Sequence, residues 1–176
     1  MLFFLYKITK IDSSSENYPS YFKHVLQVIL IIFGEDFYFY FSHRLLHFPY
    51  IYKKIHKIHH EFYNTISISA IYAHPLEFIL GNVLPFWIPI MMFGGNVHVI
   101  TVGTYMTWNI LETHETHSGY TFPISMFDIF PFSTDSDYHN FHHLKNTGNY
   151  SSFMKIWDTY FGTNKFYYQS LKSKIE

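Results

Sequence analysis

Histidine is unusually frequent in this chain, and its positions are grouped. The 176 residues include 13 histidines. Three short segments hold eight of them, namely His43 and His47, then His56, His59 and His60, then His139, His142 and His143. Residues three and four apart share a helix face, so each segment is predicted to present its imidazoles together. Three such faces can enclose more than one metal ion, since a single structural zinc takes only four ligands.

The other five histidines are single. His74, His114 and His117 lie between the second and third segments. His24 and His98 are isolated in apolar sequence, and we interpret them as structural or exposed residues.

The composition is typical of a membrane protein or of an unusually apolar small enzyme. Charged residues make up 14% of the chain, against about 25% in an ordinary soluble domain. The formal net charge of −1 gives no basic surface for nucleic acid. The chain has no cysteine, which excludes disulfides, zinc–thiolate sites, iron–sulfur clusters and thiol nucleophiles.

Two apolar stretches predict helices in a membrane. Residues 22–42 are long enough for a helix of about 30 Å, the thickness of a bilayer core. Because Glu35 and Asp36 are costly in hydrocarbon, the embedded part is expected to be Lys23 to Phe33.

The second apolar stretch, residues 78–111, contains no Asp, Glu, Lys or Arg. Gly94-Gly95-Asn96 in its middle predicts a turn, and therefore a helical hairpin. Each arm is shorter than the ~20 residues of a full span, which favours a tilted or re-entrant hairpin.

The fold predicted from these patterns is all-α, a membrane-embedded helical bundle whose cytosolic helices carry a histidine-rich di-metal site. Lys53, Lys54 and Lys57 place the second histidine segment on the cytosolic side by the positive-inside rule. One domain is expected at residues 22–165. A poorly ordered N-terminal segment, 1–21, precedes it, and a C-terminal tail, 166–176, follows it.

The ligand type restricts the metal without identifying it. All-nitrogen sites suit zinc, iron, copper and nickel alike. Eight or more imidazoles beside an apolar hairpin favour two metals that serve an apolar substrate, and two irons that activate O2 fit best. The glycines form no Gly-x-Gly-x-x-Gly nucleotide-binding loop.

The histidine segments carry a specific resemblance to a known family. The motifs are HRLLH (43–47), HKIHHEF (56–62), HSGYTFP (117–123), HNFHH (139–143) and WDTYFGT (157–163). Through them the chain, from about Glu35 to Thr163, resembles the fatty acid hydroxylase/sterol desaturase superfamily of membrane non-haem di-iron enzymes. YAHPLE at 72–77 and LETHETHSGY at 111–120 are most similar to its C-4 methylsterol oxidase (methylsterol monooxygenase) branch.

The resemblance implies ten iron ligands, which are His43, His47, His56, His59, His60, His74, His117, His139, His142 and His143. His114 is interpreted as a neighbour of the ligands. Carboxylates that could orient ligand imidazoles through the free ring N–H are Asp36, Glu61, Glu77, Glu112 and Asp137. The alternative for each is a solvated carboxylate or a helix cap. Trp157 and Asp158 are expected to pack and cap rather than to act in catalysis.

The resemblance also implies an activity. Two non-haem iron ions and O2 as co-substrate would oxidise an unactivated C–H bond of a sterol, most directly its 4-methyl group in sterol biosynthesis. A cytochrome b5-type haem protein and its reductase would supply electrons. The location implied is the endoplasmic reticulum membrane, with the histidines facing the cytosol. Residues 63–92 are expected to line the substrate pocket.

Three other functions stay open. One is a sterol C-5 desaturase or lipid hydroxylase with the same metal centre. Another is a non-catalytic, zinc-holding membrane protein or transporter, and the last is an inactive remnant. Family members usually carry a further transmembrane hairpin before the first histidine segment, whereas roughly 20 residues precede that helix here. The chain is therefore expected to be a fragment, a minimal version, or one completed by another subunit.

Overall fold

The computed structural model describes residues 11–173, and their regular secondary structure is helical. Strand-like pairing within these residues is limited to two isolated bridges, Asp12 with His98 and Ser133 with Met154. The all-α prediction is therefore confirmed. Residues 1–10 of the predicted N-terminal segment and 174–176 of the predicted tail lie outside the described residues.

The helices follow one another with short connections. The α-helices are α1 (Tyr21–Leu46), α2 (Pro49–Lys54), α3 (Pro75–Met92), α4 (Val99–Thr116), α5 (Ser136–Lys145), α6 (Ile156–Phe161) and α7 (Lys165–Lys172). Short 3₁₀ helices cover His56–Glu61, Ser67–Ile71 and Met126–Ile129. Helix α7, apart from its first residue, lies in the predicted C-terminal tail.

Helix α1 extends the predicted 22–42 segment to the first histidines. Its start is capped by the Ser20 hydroxyl, which accepts a hydrogen bond from the backbone N–H of Lys23 (3.3 Å). The helix continues to Leu46, so His43 lies in its last turn and His47 directly after it. By length and composition, α1 and α3 could each cross a membrane.

Helices α3 and α4, joined by a turn, occupy the stretch in which the hairpin is predicted. The turn between them includes Gly94 (φ 61°) and Gly95 (φ 89°), where an L side chain would be strained. Helix α3 is not regular, because the segment Phe78–Val83 forms a π-helical turn before Pro85. Helix α4 begins at the His98 cap, whose side chain accepts from the N–H of Ile100.

Residues 11–20 pack against the turn of this hairpin. The N–H of Asp12 donates to the carbonyl oxygen of Val97 (3.0 Å), and the N–H of Val99 donates to that of Asp12 (2.7 Å). Ile11 is buried in the apolar core, which joins α1, α3 and α4 to the segments that follow α4. The core residues are Ile11, Ile31, Ile32, Trp87, Ile90, Tyr105, Phe127, Phe153 and Met154.

Helices α1 and α3 approach closely at a glycine. A Cβ atom added at Gly34 would lie 2.9 Å from the Cβ of Pro89, whereas one added at Gly103 in α4 would meet no atom within 4 Å. The missing side chain at Gly34 therefore sets the distance between the two helices.

We expect Gly34→Ala to destabilise the protein by about 1–3 kcal/mol, because the added methyl group overpacks the contact with α3. The higher helix propensity of alanine offsets part of this cost. The matched change Gly103→Ala adds a methyl group in open space and should be neutral or stabilising by up to about 1 kcal/mol. Thermal unfolding in mild detergent checks both, and equal Tm values for the two variants would contradict the close contact.

Candidate metal centre

Nine histidines converge into two neighbouring groups. Within each group, one ring nitrogen from every member lies within 4.8 Å of the others. Group one consists of His43, His47, His56, His60 and His142. Group two consists of His59, His117, His139 and His143. All are buried except His47, which is half-buried.

The second and third histidine segments each serve both groups. His59 and His60 are consecutive but belong to different groups, as do His142 and His143. Consecutive residues are rotated by about 100° on an α-helix and about 120° on a 3₁₀ helix, so a His-His pair can point to two centres. The prediction that each segment presents its imidazoles together on one face is therefore too simple.

Backbone carbonyl groups fix the orientation of most rings in the two groups. In five of the nine, Nδ1 lies within hydrogen-bond distance of a carbonyl oxygen. The pairs are His43–Tyr150 (2.8 Å), His59–Tyr72 (3.1 Å), His117–Thr113 (2.9 Å), His142–Gly148 (2.6 Å) and His143–Phe62 (3.1 Å). A carbonyl oxygen only accepts, so Nδ1 carries the proton and Nε2 keeps its lone pair.

These lone pairs meet at short distances. In group one, Nε2 of His47 lies 3.1 Å from Nε2 of His142 and 2.9 Å from that of His56. In group two, Nε2 of His139 lies 2.9 Å from that of His117 and 3.1 Å from that of His143. Ring nitrogens this close can share one cation. The donor set therefore fits a metal ion in each group.

Burial keeps the imidazoles in the form that binds metal. Desolvation lowers the pKa of His59 to about 4, that of His117 to about 3 and that of His60 to about 2. Loss of solvation, followed by repulsion from neighbouring histidines, also lowers the pKa of His47. These rings are neutral at pH 7, so a metal need not displace protons from them.

Two buried carboxylates hold the segment that supplies two of the carbonyl groups. Asp158 accepts hydrogen bonds from the N–H groups of Tyr150 (2.9 Å) and Ser151 (2.8 Å) and from the Tyr138 hydroxyl (2.9 Å). Asp36 accepts from the N–H groups of residues 153 and 154, at 2.8 and 3.1 Å. Residues 148–154, which include the acceptors for His142 and His43, are thus fixed from both sides.

The five carboxylates proposed to orient ligands have different surroundings. Oε1 of Glu77 lies 2.8 Å from Nδ1 of His56, and this is the one direct contact with a ligand ring among the five in the described residues. Glu61 accepts from the Tyr72 hydroxyl (2.9 Å), and Asp36 acts on the backbone. Glu112 is buried, 3.5 Å from the Thr113 hydroxyl, whereas Asp137 is exposed in the first turn of α5.

His74 lies outside both groups. It caps α3, and its Nδ1 accepts from the N–H of Leu76 (3.2 Å). Its role as a tenth ligand stays a prediction. His114 is exposed, and His98 and His24 make structural bonds to the Ser14 carbonyl group and the Thr101 hydroxyl (both 3.1 Å).

A small cavity of about 50 Å³ touches both histidine groups. Beside it, an apolar cleft of about 320 Å³ runs between α3 and α4. The cleft is lined by Ala70, Ile71, Phe78, Asn82, Val83, Phe86, Trp87, Met106, Asn109, Ile110, Thr113 and His114. Residues 63–92 form one wall, as expected from the sequence. The other wall comes from α4, which the hydrophobicity of residues 63–92 alone could not reveal.

Sequence reasoning missed the carbonyl acceptors and Glu35. The carbonyl groups belong to residues of no particular type, so the sequence carries no signal for them. Glu35 lines the cavity beside both histidine groups. The signal for it in the sequence is the cost of a carboxylate within an apolar helix, which points to a function as well as to the limit of the embedded part.

We expect His59→Gln and His60→Gln each to lose about one of two bound metal ions, and not the same one, because the two residues belong to different groups. The double variant should lose both. Metal analysis after dialysis against a mild chelator measures this, with His24→Gln as a control that keeps both ions. Loss of both ions from each single variant would contradict the division into two groups.

We expect Asp158→Asn to weaken metal binding in group one about 10–100-fold, as for other residues that act on ligands indirectly. Each oxygen of Asp158 accepts from a backbone N–H, so the new amide NH2 would face an N–H group that can only donate. The loss of that bond releases the carbonyl acceptors of His43 and His142. Asp128→Asn, at an exposed helix cap, is the matched control.

The measurement is metal titration of each variant. Tyr138→Phe removes one donor to Asp158 and should show a smaller loss, which keeps the test usable if Asp158→Asn does not fold. Unchanged affinity in a folded Asp158→Asn protein would exclude the positioning role.

Comparison with known proteins agrees with these features. The sequence pattern of the fatty acid hydroxylase family matches residues 28–163. Methylsterol monooxygenase 1 of Rattus norvegicus is 46% identical over 76% of this chain and 45% of its own length. A C-4 methylsterol oxidase of Schizosaccharomyces pombe is 35% identical over 89% of this chain and 53% of its own length.

A very-long-chain aldehyde decarbonylase of Oryza sativa is 36% identical over 88% of this chain and 58% of its own length. The chain spans about half the length of the curated relatives it matches. No solved structure matches it. The match to the family pattern covers most of the chain and includes all nine clustered histidines, so the chain belongs to the fatty acid hydroxylase family.

Proposed function

We propose that this chain forms the di-iron core of a methylsterol monooxygenase, which uses O2 to oxidise the 4-methyl group of a sterol. The observation that carries the proposal is the cavity shared by two buried imidazole groups, next to an apolar cleft of about 320 Å³. That volume lies within the ~300–1,000 Å³ of small-molecule sites. The relatives named methylsterol monooxygenase and C-4 methylsterol oxidase support this substrate.

Group one fits iron better than a structural zinc ion. Structural zinc sites are closed by four ligands in a tetrahedron, whereas group one offers five imidazoles. The second metal would be held by four. When bound, two iron ions supply O2 activation and the oxidising power for an unactivated C–H bond.

The protein contributes position and exclusion of water. Hydrogen bonds from Nδ1 to carbonyl groups hold the ligand rings in one tautomer before any metal arrives. Apolar side chains of α3 and α4, such as Phe86 and Ile110, provide walls suited to a steroid ring system. The buried cavity limits the access of bulk water to the reacting carbon.

Electrons are proposed to come from a cytochrome b5-type haem protein and its reductase. Insertion of one oxygen atom from O2 leaves the other to be reduced to water, which consumes two electrons and two protons. Lys53, Lys54 and Lys57 are exposed beside the second histidine segment. Their charge favours an acidic redox partner and a cytosolic orientation in the endoplasmic reticulum membrane.

The first test combines metal content with turnover. Protein purified in mild detergent from iron-supplemented cells should hold close to two irons per chain. With 18O2, an electron donor and a 4,4-dimethyl sterol, it should yield a product with labelled oxygen on the 4-methyl carbon. His59→Ala/His142→Ala removes one ligand from each group and should abolish both results.

The product and the metal content distinguish the proposed function from the competing ones. A new ring double bond would indicate a C-5 desaturase, and loss of a carbon from an aldehyde would indicate a decarbonylase. One zinc ion, or no metal in the intact chain, would overturn the di-iron proposal.

A further inference from the structure

The passage from the apolar cleft to the metal cavity is formed by four residues. Ala70, Asn82, Asn109 and Thr113 line both spaces. Any substrate that lies in the cleft and reaches the metals has to pass these side chains. Two of the four are asparagines, although the cleft is otherwise almost entirely apolar.

The asparagines come from opposite walls. Asn82 belongs to the π-helical turn Phe78–Val83 of α3. A π turn takes one extra residue, which changes the direction of the side chains around it, and such turns are frequent at functional sites. Asn109 lies in the middle of α4. Both walls therefore place an amide at the same junction.

Neither amide is used by the protein itself. Within residues 11–173, the side chains of Asn82 and Asn109 have no hydrogen-bond partner, whereas the Thr113 hydroxyl lies 3.5 Å from Glu112. Both asparagines belong to the stretch 78–111, which has no charged residue. Asn82 is exposed and Asn109 is half-buried, so both amides are free to bind a molecule that enters the passage.

We propose that Asn82 and Asn109 bind a hydroxyl group of the substrate and so place the neighbouring carbon in the metal cavity. An amide offers both an acceptor oxygen and a donor NH2, which matches a hydroxyl group that donates and accepts. The ligand class is an alicyclic alcohol in which the hydroxyl-bearing carbon adjoins the carbon bearing the oxidised group.

This inference rests on the proposed function, because a sterol has that arrangement. Its hydroxyl group is on C-3, next to C-4, whose methyl group is oxidised. With the hydroxyl held at the junction, the rest of the steroid lies along the apolar cleft. Only the 4-methyl region reaches the histidines.

The test compares two ligands and four variants. Equilibrium binding of a radiolabelled 4,4-dimethyl sterol and of its 3-deoxy analogue is measured for the full chain in phosphatidylcholine nanodiscs. The variants are Asn82→Leu, Asn109→Leu, the double variant, and Met106→Leu as a control. Met106 lines the cleft but not the metal cavity. Tm and metal content establish that each variant is folded.

We expect the unchanged protein to bind the sterol about tenfold more tightly than the 3-deoxy analogue, the size of one or two hydrogen bonds. The ratio should fall toward one in the asparagine variants and stay near tenfold in Met106→Leu. In turnover assays, the asparagine variants should raise KM for the sterol. Their effect on kcat for the 3-deoxy analogue should be smaller than this rise.

The inference and the proposed function fail in different ways. Asparagine variants that keep the tenfold ratio would overturn the inference while sterol oxidation still stands. The opposite result is a protein that holds two irons and oxidises no sterol, but whose asparagine variants lose the preference for the hydroxyl group. That result would support the inference and overturn the proposed function. Equal binding of both ligands by the unchanged protein would show that the amides serve water or lipid head groups instead.

Discussion

The structure depends on holding nine imidazoles with their Nε2 lone pairs turned inward. Each ring has two nitrogens and could bind through either, so convergence requires that the other nitrogen be engaged elsewhere. Carbonyl groups of Tyr150, Tyr72, Thr113, Gly148 and Phe62 do this for five rings. The helices and the loops between them are thus arranged around a set of backbone acceptors as much as around the histidines.

Two buried carboxylates meet this requirement through the backbone rather than through the rings. Asp158 and Asp36 are both fully buried, yet both bind N–H groups of the segment 148–154 rather than a ligand ring. A carboxylate that accepts from several donors is a strong constraint on a loop. The loop, in turn, positions His43 and His142 through its carbonyl groups. Glu77 differs, because it contacts the ring of His56 directly.

The histidine spacing and the charge-free hairpin were enough to predict helices, the turn at Gly94–Gly95 and a site for more than one metal ion. They could not predict how the rings divide between groups, because His59 and His60 differ only in rotation about a helix whose 3₁₀ geometry is set by packing. They also could not predict the wall formed by Met106 and Ile110, since the face that α4 turns toward α3 depends on tertiary packing such as that of Tyr105 on Phe86.

Helix α3 links the separate parts of the molecule. Near its start, Glu77 reaches His56 in group one, and one turn later the π segment places Asn82 at the entrance to the metal cavity. Near its end, Pro89 packs on Gly34 of α1, the helix that carries His43. A shift of α3 along its axis would therefore move the contact with His56, the passage at Asn82 and the packing of α1 together. The geometry of the histidine groups and that of the apolar cleft are for this reason coupled through one helix.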